Sequence, residues 1–153
     1  EWMNLPTGEV IVAPVEDSLN GTLVCDLAIG GIGPLKKPVE LSVERGAVKE
    51  AHSKDGDTLQ QVRNRLETDD WSSVVGEFAF GINPKARFVK EFLEAEKLLG
   101  SIHIAFGNNT DMPGGQNQSR NHMDLLISKP TVKVTSQNGE KSLILKDGNF
   151  QIE

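Results

Sequence analysis

The fold of this chain is decided by residues 76–82, which read Gly76-Glu77-Phe78-Ala79-Phe80-Gly81-Ile82. In a β-strand, successive side chains point to opposite faces. The alternation therefore sends three large apolar side chains to one face and leaves Glu77 among small residues on the other. A single Glu in such a place is either solvated or functional, and this stretch alone leaves both readings open.

Two further stretches show the same alternation and carry two of the three histidines. Residues 102–107 place His103 on the face opposite three large apolar residues, which predicts a cavity beside His103. In residues 121–125, His122 and Asp124 are two positions apart, so both leave the same face of one strand. A His-x-Asp pair of this kind suits a metal ion, although a strand histidine is also a common structural residue. His52 precedes a polar run and is expected on the surface.

The rest of the chain reads as short β-branched strands with two helices between them. Strands are predicted at 10–13, 22–29, 39–43, 47–51, 131–135, 142–145 and 150–152, with a tight turn at Arg45-Gly46. The first helix is predicted at 59–67, capped by Asp57-Thr58. The second is predicted at 87–99, with a core stripe at 88, 92, 95 and 99 and a C-terminal cap at Gly100. The fold class is therefore α+β: a mostly antiparallel twisted sheet or open barrel with two packed helices.

Composition limits the function classes. The chain has 153 residues, a formal charge of −6 and 37% hydrophobic residues, which predicts a single folded domain over 1–153. The acidic balance and the lack of a basic stripe argue against nucleic acid, and no apolar run is long enough to span a membrane. A single cysteine, Cys25, excludes an internal disulfide and a cysteine-based zinc cluster. A cytoplasmic location is the default expectation, and the opening Glu1-Trp2-Met3-Asn4 suggests a fragment of a longer chain.

The segment between the two strand histidines is a candidate binding loop. Residues 108–120 form a run of 13 residues without hydrophobic periodicity, and such loops are commonly binding loops or mobile surface segments. Its polar residues Asn109, Gln116 and Arg120 are candidate substrate contacts, and its two glycines would allow a ligand to approach the backbone. A mobile surface loop remains the alternative interpretation.

Several of these motifs, taken in order, resemble the aminopeptidase T-like metalloaminopeptidase family of thermophilic metalloproteases. They are Asn4-Leu5-Pro6-Thr7-Gly8-Glu9-Val10-Ile11-Val12-Ala13-Pro14, Asn20-Gly21-Thr22, Gly76-Glu77, His103-Ile104-Ala105-Phe106-Gly107 and Asn121-His122-Met123-Asp124. The resemblance covers about residues 4–130, which corresponds to the catalytic C-terminal part of a longer family chain. No single motif is diagnostic, and the resemblance rests on their order and number.

The resemblance implies a metal site and a peptidase activity. The implied metal ligands are Glu9, Glu77, His103, His122 and Asp124. It also implies catalytic roles for Glu9 and Glu77, with Glu77 bridging two divalent ions such as Zn²⁺ or Co²⁺. The implied substrate is a peptide with a free N-terminus, and the implied assembly is a homodimer.

Two positions depart from the family pattern. Thr110 stands where the family usually has a Tyr, and Gly8 stands where many members have an acidic residue. Three functions therefore remain open. They are an active metalloaminopeptidase domain, a metal-binding or assembly domain that lacks catalytic activity, and a β-rich structural domain without metal.

Overall fold

The structure, a computed structural model, describes residues 5–151 of the chain. Asn4, which begins the first family motif, and Ile152, which ends the last predicted strand, lie outside the described residues. The elements in chain order are β1 (Glu9–Val12), β2 (Gly21–Cys25), β3 (Ala28–Ile29), β4 (Gly33–Pro34), β5 (Val39–Glu44), β6 (Ala47–Ser53), α1 (Gly56–Leu66), β7 (Val75–Gly81), α2 (Phe92–Ala95), β8 (Ile102–Gly107), β9 (His122–Ile127), β10 (Val132–Thr135), β11 (Lys141–Lys146) and β12 (Asn149–Phe150).

The named strands form three antiparallel sheets, which confirms the α+β class. The largest has six strands in the order β1-β7-β8-β9-β3-β4, and the others are β2-β5-β6 and β10-β11-β12. The main hydrophobic core includes residues of β5, β6, α1, β7, β8 and β9. The β2-β5-β6 sheet and α1 therefore cover one face of the six-stranded sheet. The opposite face carries polar side chains beside a small second core of Ala28, Ala95 and Leu126.

The pleat of the central strands sorts their side chains as the sequence alternation predicts. In β8, Ile104 and Phe106 lie in the main core, while His103 points to the opposite face. In β9, Met123 and Leu125 lie in the same core. The predicted turn at Arg45-Gly46 is also confirmed, with φ of 45° and 74° at its two central residues.

One predicted strand, at 22–29, is instead two strands in different sheets. β2 ends at Cys25 and pairs with β5, whereas β3 begins at Ala28 and pairs with β9. Between them, the Asp26 carboxylate accepts a hydrogen bond from the Ser128 backbone N–H at 2.8 Å. The change of sheet goes with this contact and with the pairing of β3 to β9, both long-range features that local β-propensity does not report.

The first helix starts earlier than predicted and has a different cap. α1 spans Gly56–Leu66, and the Asp55 side chain accepts a hydrogen bond from the Thr58 N–H at 3.3 Å. Asp57, the predicted cap, instead lies in the first turn, where its negative charge favours the helix N-terminus. Val62 and Leu66 enter the main core, so the predicted apolar stripe is confirmed in this helix.

The second predicted helix, at 87–99, is reduced to the four residues of α2. Phe88 and Leu99, two residues of its expected core stripe, are 44% and 48% exposed. The helix ends early because residues 97 and 98 pair with the chain near Asn83, whose N–H donates to the Lys97 carbonyl at 2.9 Å. Gly100 has the expected positive φ of 80°, but it lies in a turn after the Leu98 bridge and caps no helix. Within residues 5–151, neither helix has the length and apolar character needed to cross a membrane.

Candidate metal centre

The face of the six-stranded sheet opposite the main core brings the five implied ligands together. Glu77 lies opposite Ala105, and Ala105 lies opposite Asp124 on the next strand. Side chains directly opposite each other in an antiparallel sheet share a face. Ala105 therefore leaves space between the two carboxylates, and the small residues noted in the sequence form the floor of the site.

The remaining ligands enter from the same face. His103 lies opposite Ala79, Glu9 lies opposite Gly81, and His122 lies opposite Gly107. Gly107 has a φ of 110°, and a Cβ there would lie 2.1 Å from the Asn121 carbonyl oxygen. This position therefore requires glycine, because any side chain would push the start of β9 and its His122 away.

Glu77 is the centre of the cluster. Its Oε1 is 2.8 Å from His103 Nε2, and its Oε2 is 3.3 Å from His122 Nε2. His122 Nε2 is also 3.2 Å from Asp124 Oδ1, and His103 Nε2 is 3.7 Å from Glu9 Oε2. Each oxygen of one buried carboxylate thus faces one imidazole, which links the two ends of the site.

Hydrogen bonds from outside the cluster orient His122. Its Nδ1 lies 2.7 Å from the Asn108 carbonyl oxygen, which can only accept, so Nδ1 carries the proton and Nε2 faces the carboxylates. The Arg65 guanidinium of α1 donates to the His122 carbonyl at 2.8 Å, to the Asn121 side-chain oxygen at 3.0 Å and to the Gly30 carbonyl. The helix therefore fixes the start of β9, from which His122 projects.

Two residues of the site were missed in the sequence. The Glu96 carboxylate is buried and can form a group of three metal-binding side chains with His103 and Asp124. Lys97 is fully buried, and its Nζ is 2.7 Å from Glu9 Oε1 and also contacts Glu96 Oε1. Both residues lie off the apolar stripe of the predicted 87–99 helix. No sequence signal marked them, because they are brought to the site by the pairing of residues 97 and 98 with the chain near Asn83.

The charges of the cluster stabilise one another. Burial raises the pKa of Glu77, but the hydrogen bonds and charges of His103 and His122 outweigh burial and lower that pKa to about 2. Burial lowers the pKa of His122, and Asp124 and Glu77 outweigh it and raise the pKa to about 11. The pKa of His103 is also raised, because its hydrogen bond to Glu77 and nearby carboxylates overcome the effect of burial. Cations, whether protons or metal ions, are therefore strongly favoured between these carboxylates.

An open pocket of about 670 Å³ gives access to this cluster. Its lining includes Glu9, Glu77, Glu96, His122 and Asp124. His103 is 1% exposed and lies beneath Glu77, so the cavity opens above the histidine and not directly beside it. His52, by contrast, is exposed and contacts only Glu50 among the described hydrogen-bond partners, at 3.2 Å, which confirms the expected surface position.

The loop at 108–120 contributes to the pocket, but mostly through residues other than those expected. Its lining residues are Asn108, Asp111, Met112, Ser119 and Arg120. Arg120 lines the pocket, and its side chain is 80% exposed. Asn109 is fully buried, and its side-chain oxygen accepts from the Asn117 N–H at 2.8 Å. Gln116 is exposed but does not line the pocket. Of the three candidate substrate contacts, the structure therefore brings only Arg120 to the pocket, and Asn109 organises the loop instead.

The loop is anchored to the body of the protein by Asp69. The Asp69 carboxylate accepts hydrogen bonds from the Arg120 N–H and the Ser119 and Ser72 hydroxyls, each at 2.8 Å. The Arg120 N–H is the largest contribution, and together these donors lower the pKa of Asp69 to about 2. A loop fixed in this way forms a defined wall of the pocket.

We expect Asp69→Asn to lower the thermal unfolding temperature at neutral pH, because the amide loses part of these hydrogen bonds. The pKa of Asp69 is lowered by folding, so its contribution is present above the ordinary value of 3.8 and is lost as the pH falls towards 2. The difference in unfolding temperature between wild type and variant should therefore shrink between about pH 4 and pH 2. Circular dichroism at each pH measures it, with Asp70→Asn, at an exposed neighbour, as the control. A difference that stays constant over this range would contradict the role of Asp69.

The residues of the centre fit a divalent metal ion. Imidazole nitrogens and carboxylate oxygens are the donors that Zn²⁺ and Co²⁺ accept together. Among residues 5–151, three groups of donors can each gather around one ion: Glu9, Glu77 and His103; Glu77, His122 and Asp124; and Glu96, His103 and Asp124. His103 Nδ1 is buried without a hydrogen-bond partner among residues 5–151, which also leaves a polar atom unsatisfied near the site.

Known proteins are similar to this chain in sequence and fold. The chain is 26% identical to aminopeptidase T of Thermus thermophilus, with 97% of this chain and 40% of that protein aligned. The solved structure of wild-type AmpT from Thermus thermophilus matches with a TM-score of 0.78 at 26% identity, again over 97% of this chain and 40% of that one. The structure of 2,5-dihydroxypyridine dioxygenase from Pseudomonas putida KT2440 matches with a TM-score of 0.78 at 19% identity, over 95% of this chain and 44% of that one.

These matches agree on the fold and differ in the activities of the proteins concerned. The chain spans less than half of the length of each relative, so the activity of a whole relative does not transfer directly to it. The family of thermophilic metalloproteases (M29) matches residues 2–150, which is almost the whole chain. With the fold and the cluster of acidic and imidazole donors, this match shows that the chain belongs to the thermophilic metalloprotease (M29) family.

Proposed function

We propose that this chain is the metal-binding part of an aminopeptidase that hydrolyses the N-terminal peptide bond of a peptide with a metal-activated water. The observation that carries the proposal is the convergence of Glu9, Glu77, His103, His122 and Asp124 at the base of one open pocket. The family and the aminopeptidase T relative support the same reaction class. A homodimer, as the resemblance implies, is part of this proposal.

The side chains of the metal centre would have two roles, to bind the metal ion and to bind the substrate. Glu77, His122 and Asp124 would hold a divalent ion such as Zn²⁺ or Co²⁺, and when bound this ion supplies an acidified water and polarises a carbonyl. Glu77 and Glu9 are the carboxylates nearest to His103. Glu9, which is not among the ligands of this ion, would accept or hold a proton during hydrolysis. The excess negative charge of these two carboxylates would also attract the ammonium group of a free N-terminus.

The loop at 108–120 would position the rest of the peptide. Arg120 projects at the pocket from a backbone that Asp69 fixes, and its guanidinium would donate to peptide carbonyls. Thr110, at the position of the family Tyr, is exposed, and its hydroxyl is 3.1 Å from the Asn108 side-chain oxygen. It does not line the pocket, so other groups would have to stabilise the reacting carbonyl oxygen.

The test is release of an N-terminal amino acid by the purified protein. A sample stripped with a chelator should be inactive towards leucine anilides and short peptides, and it should regain turnover when Zn²⁺ or Co²⁺ is returned. A peptide with an acetylated N-terminus is the matched control and should not be cleaved. If the metal-loaded full-length protein releases no amino acid from any of these substrates, the peptidase proposal is wrong.

A further inference from the structure

The feature of the site that the sequence patterns leave unexplained is Lys97. Its side chain is fully buried, and its Nζ contacts one oxygen of Glu9, at 2.7 Å, and one oxygen of Glu96. A lysine ammonium has three donors and no acceptor, and it is almost never fully buried unless it is paired. Lys97 thus places a fixed positive charge inside a cluster of carboxylates.

Lys97 does not touch all parts of the cluster equally. Three groups of donors could each hold an ion, and two of them contain a carboxylate that Lys97 already binds. The group Glu9, Glu77 and His103 depends on Glu9, and the group Glu96, His103 and Asp124 depends on Glu96. Only the group Glu77, His122 and Asp124 contains neither partner of Lys97.

A dication and this ammonium would compete for the same carboxylates. Metal–oxygen bonds to carboxylates are about 2.0–2.2 Å long, so an ion on Glu9 or Glu96 would lie within a few ångströms of Nζ. Like charges at that separation repel strongly when water is excluded. Lys97 cannot relieve the repulsion by turning to solvent without leaving its buried position.

We propose that Lys97 takes the place of a second metal ion, so that this chain binds one divalent ion per site, at Glu77, His122 and Asp124. The proposal rests on the metal binding of the proposed function and changes the expectation of two ions. Glu9 and Glu96 then serve to hold Lys97, and Lys97 acts as a positioning residue that keeps their carboxylates in place beside the ion.

The experiment is a count of bound ions. The purified protein is stripped, titrated with Co²⁺ or Zn²⁺ by calorimetry, desalted and analysed for metal by mass spectrometry. The same measurement is made on Lys97→Met, which keeps an unbranched side chain one atom shorter and removes its charge. Lys85→Met, at an exposed lysine, is the matched control. The cobalt spectrum adds a second readout, since two adjacent Co²⁺ ions couple magnetically and a single ion does not.

We expect one ion per chain in the wild type and in Lys85→Met, and a second ion in Lys97→Met. Two ions per chain in the wild type would overturn the proposal, and this measurement does not depend on whether Lys97→Met folds. One ion in both the wild type and a folded Lys97→Met would also overturn it, because something other than Lys97 would then limit the site. Absence of any bound ion would contradict both the proposed function and this inference. One bound ion without peptide hydrolysis would contradict only the proposed peptidase activity.

Discussion

Glu77→Gln is expected to weaken the binding of Zn²⁺ or Co²⁺ by more than about 100-fold, because loss of even an outer partner of a metal ligand typically costs about 10–100-fold. Glu77 lies at the centre of the cluster and faces both His103 and His122. Glutamine has nearly the same shape, but it carries no charge and offers one acceptor oxygen where glutamate offers two. The variant therefore removes the negative charge that holds the two imidazoles and the ion together.

Calorimetric titration of the stripped protein measures the loss. Glu50→Gln is the matched control, since Glu50 also faces a histidine, His52, at 3.2 Å, but on the exposed surface. This control should bind metal as the wild type does. Glu77→Gln binding within about threefold of the wild type would show that Glu77 is not a ligand, because removal of a direct ligand cannot have so small an effect.

The sequence predicts the ligands that project from the central strands, because the alternation along a β-strand decides to which face each side chain points. Glu77, His103 and Asp124 are each placed by alternation within a single strand, which local sequence reports directly. Antiparallel neighbours then bring the three strands into register, and small residues such as Ala105 leave room between the functional side chains. The family resemblance adds Glu9, whose strand β1 pairs with β7 beside Gly81.

The part that the sequence does not predict depends on contacts between distant segments. Lys97 and Glu96 reach the site because residues 97 and 98 pair with the chain near Asn83 and end the helix early. Helical periodicity over 87–99 contains no signal of that pairing, and tertiary contacts override propensity here. The sequence likewise gives no sign that the amide of Asn109, which it predicts as a substrate contact, is buried within the loop.

The second large expected effect is on the free energy of unfolding. It is measured by comparing a phenylalanine of the observed core with one that only the helical pattern places in the core. Phe106 of β8 is fully buried in the main core, beside Ile104 and Met123. Phe106→Ala is expected to lower the free energy of unfolding by about 3–5 kcal/mol, because it removes a large apolar side chain and leaves a cavity. Phe88, which helical periodicity assigned to a core stripe, is 44% exposed. Phe88→Ala is therefore expected to change that free energy by no more than about 0.5 kcal/mol, as surface substitutions do.

Urea unfolding followed by circular dichroism measures both variants, and the pair is matched because the same atoms are deleted in each. Phe106 lies on the core face of β8, opposite to His103, so metal affinity of the folded Phe106→Ala protein should stay close to that of the wild type. Equal losses for Phe88→Ala and Phe106→Ala would mean that residues 87–91 pack as a helix against the core after all. A loss of metal affinity in folded Phe106→Ala would mean that the two faces of the sheet are not independent, since packing on one face would then set the ligand positions on the other.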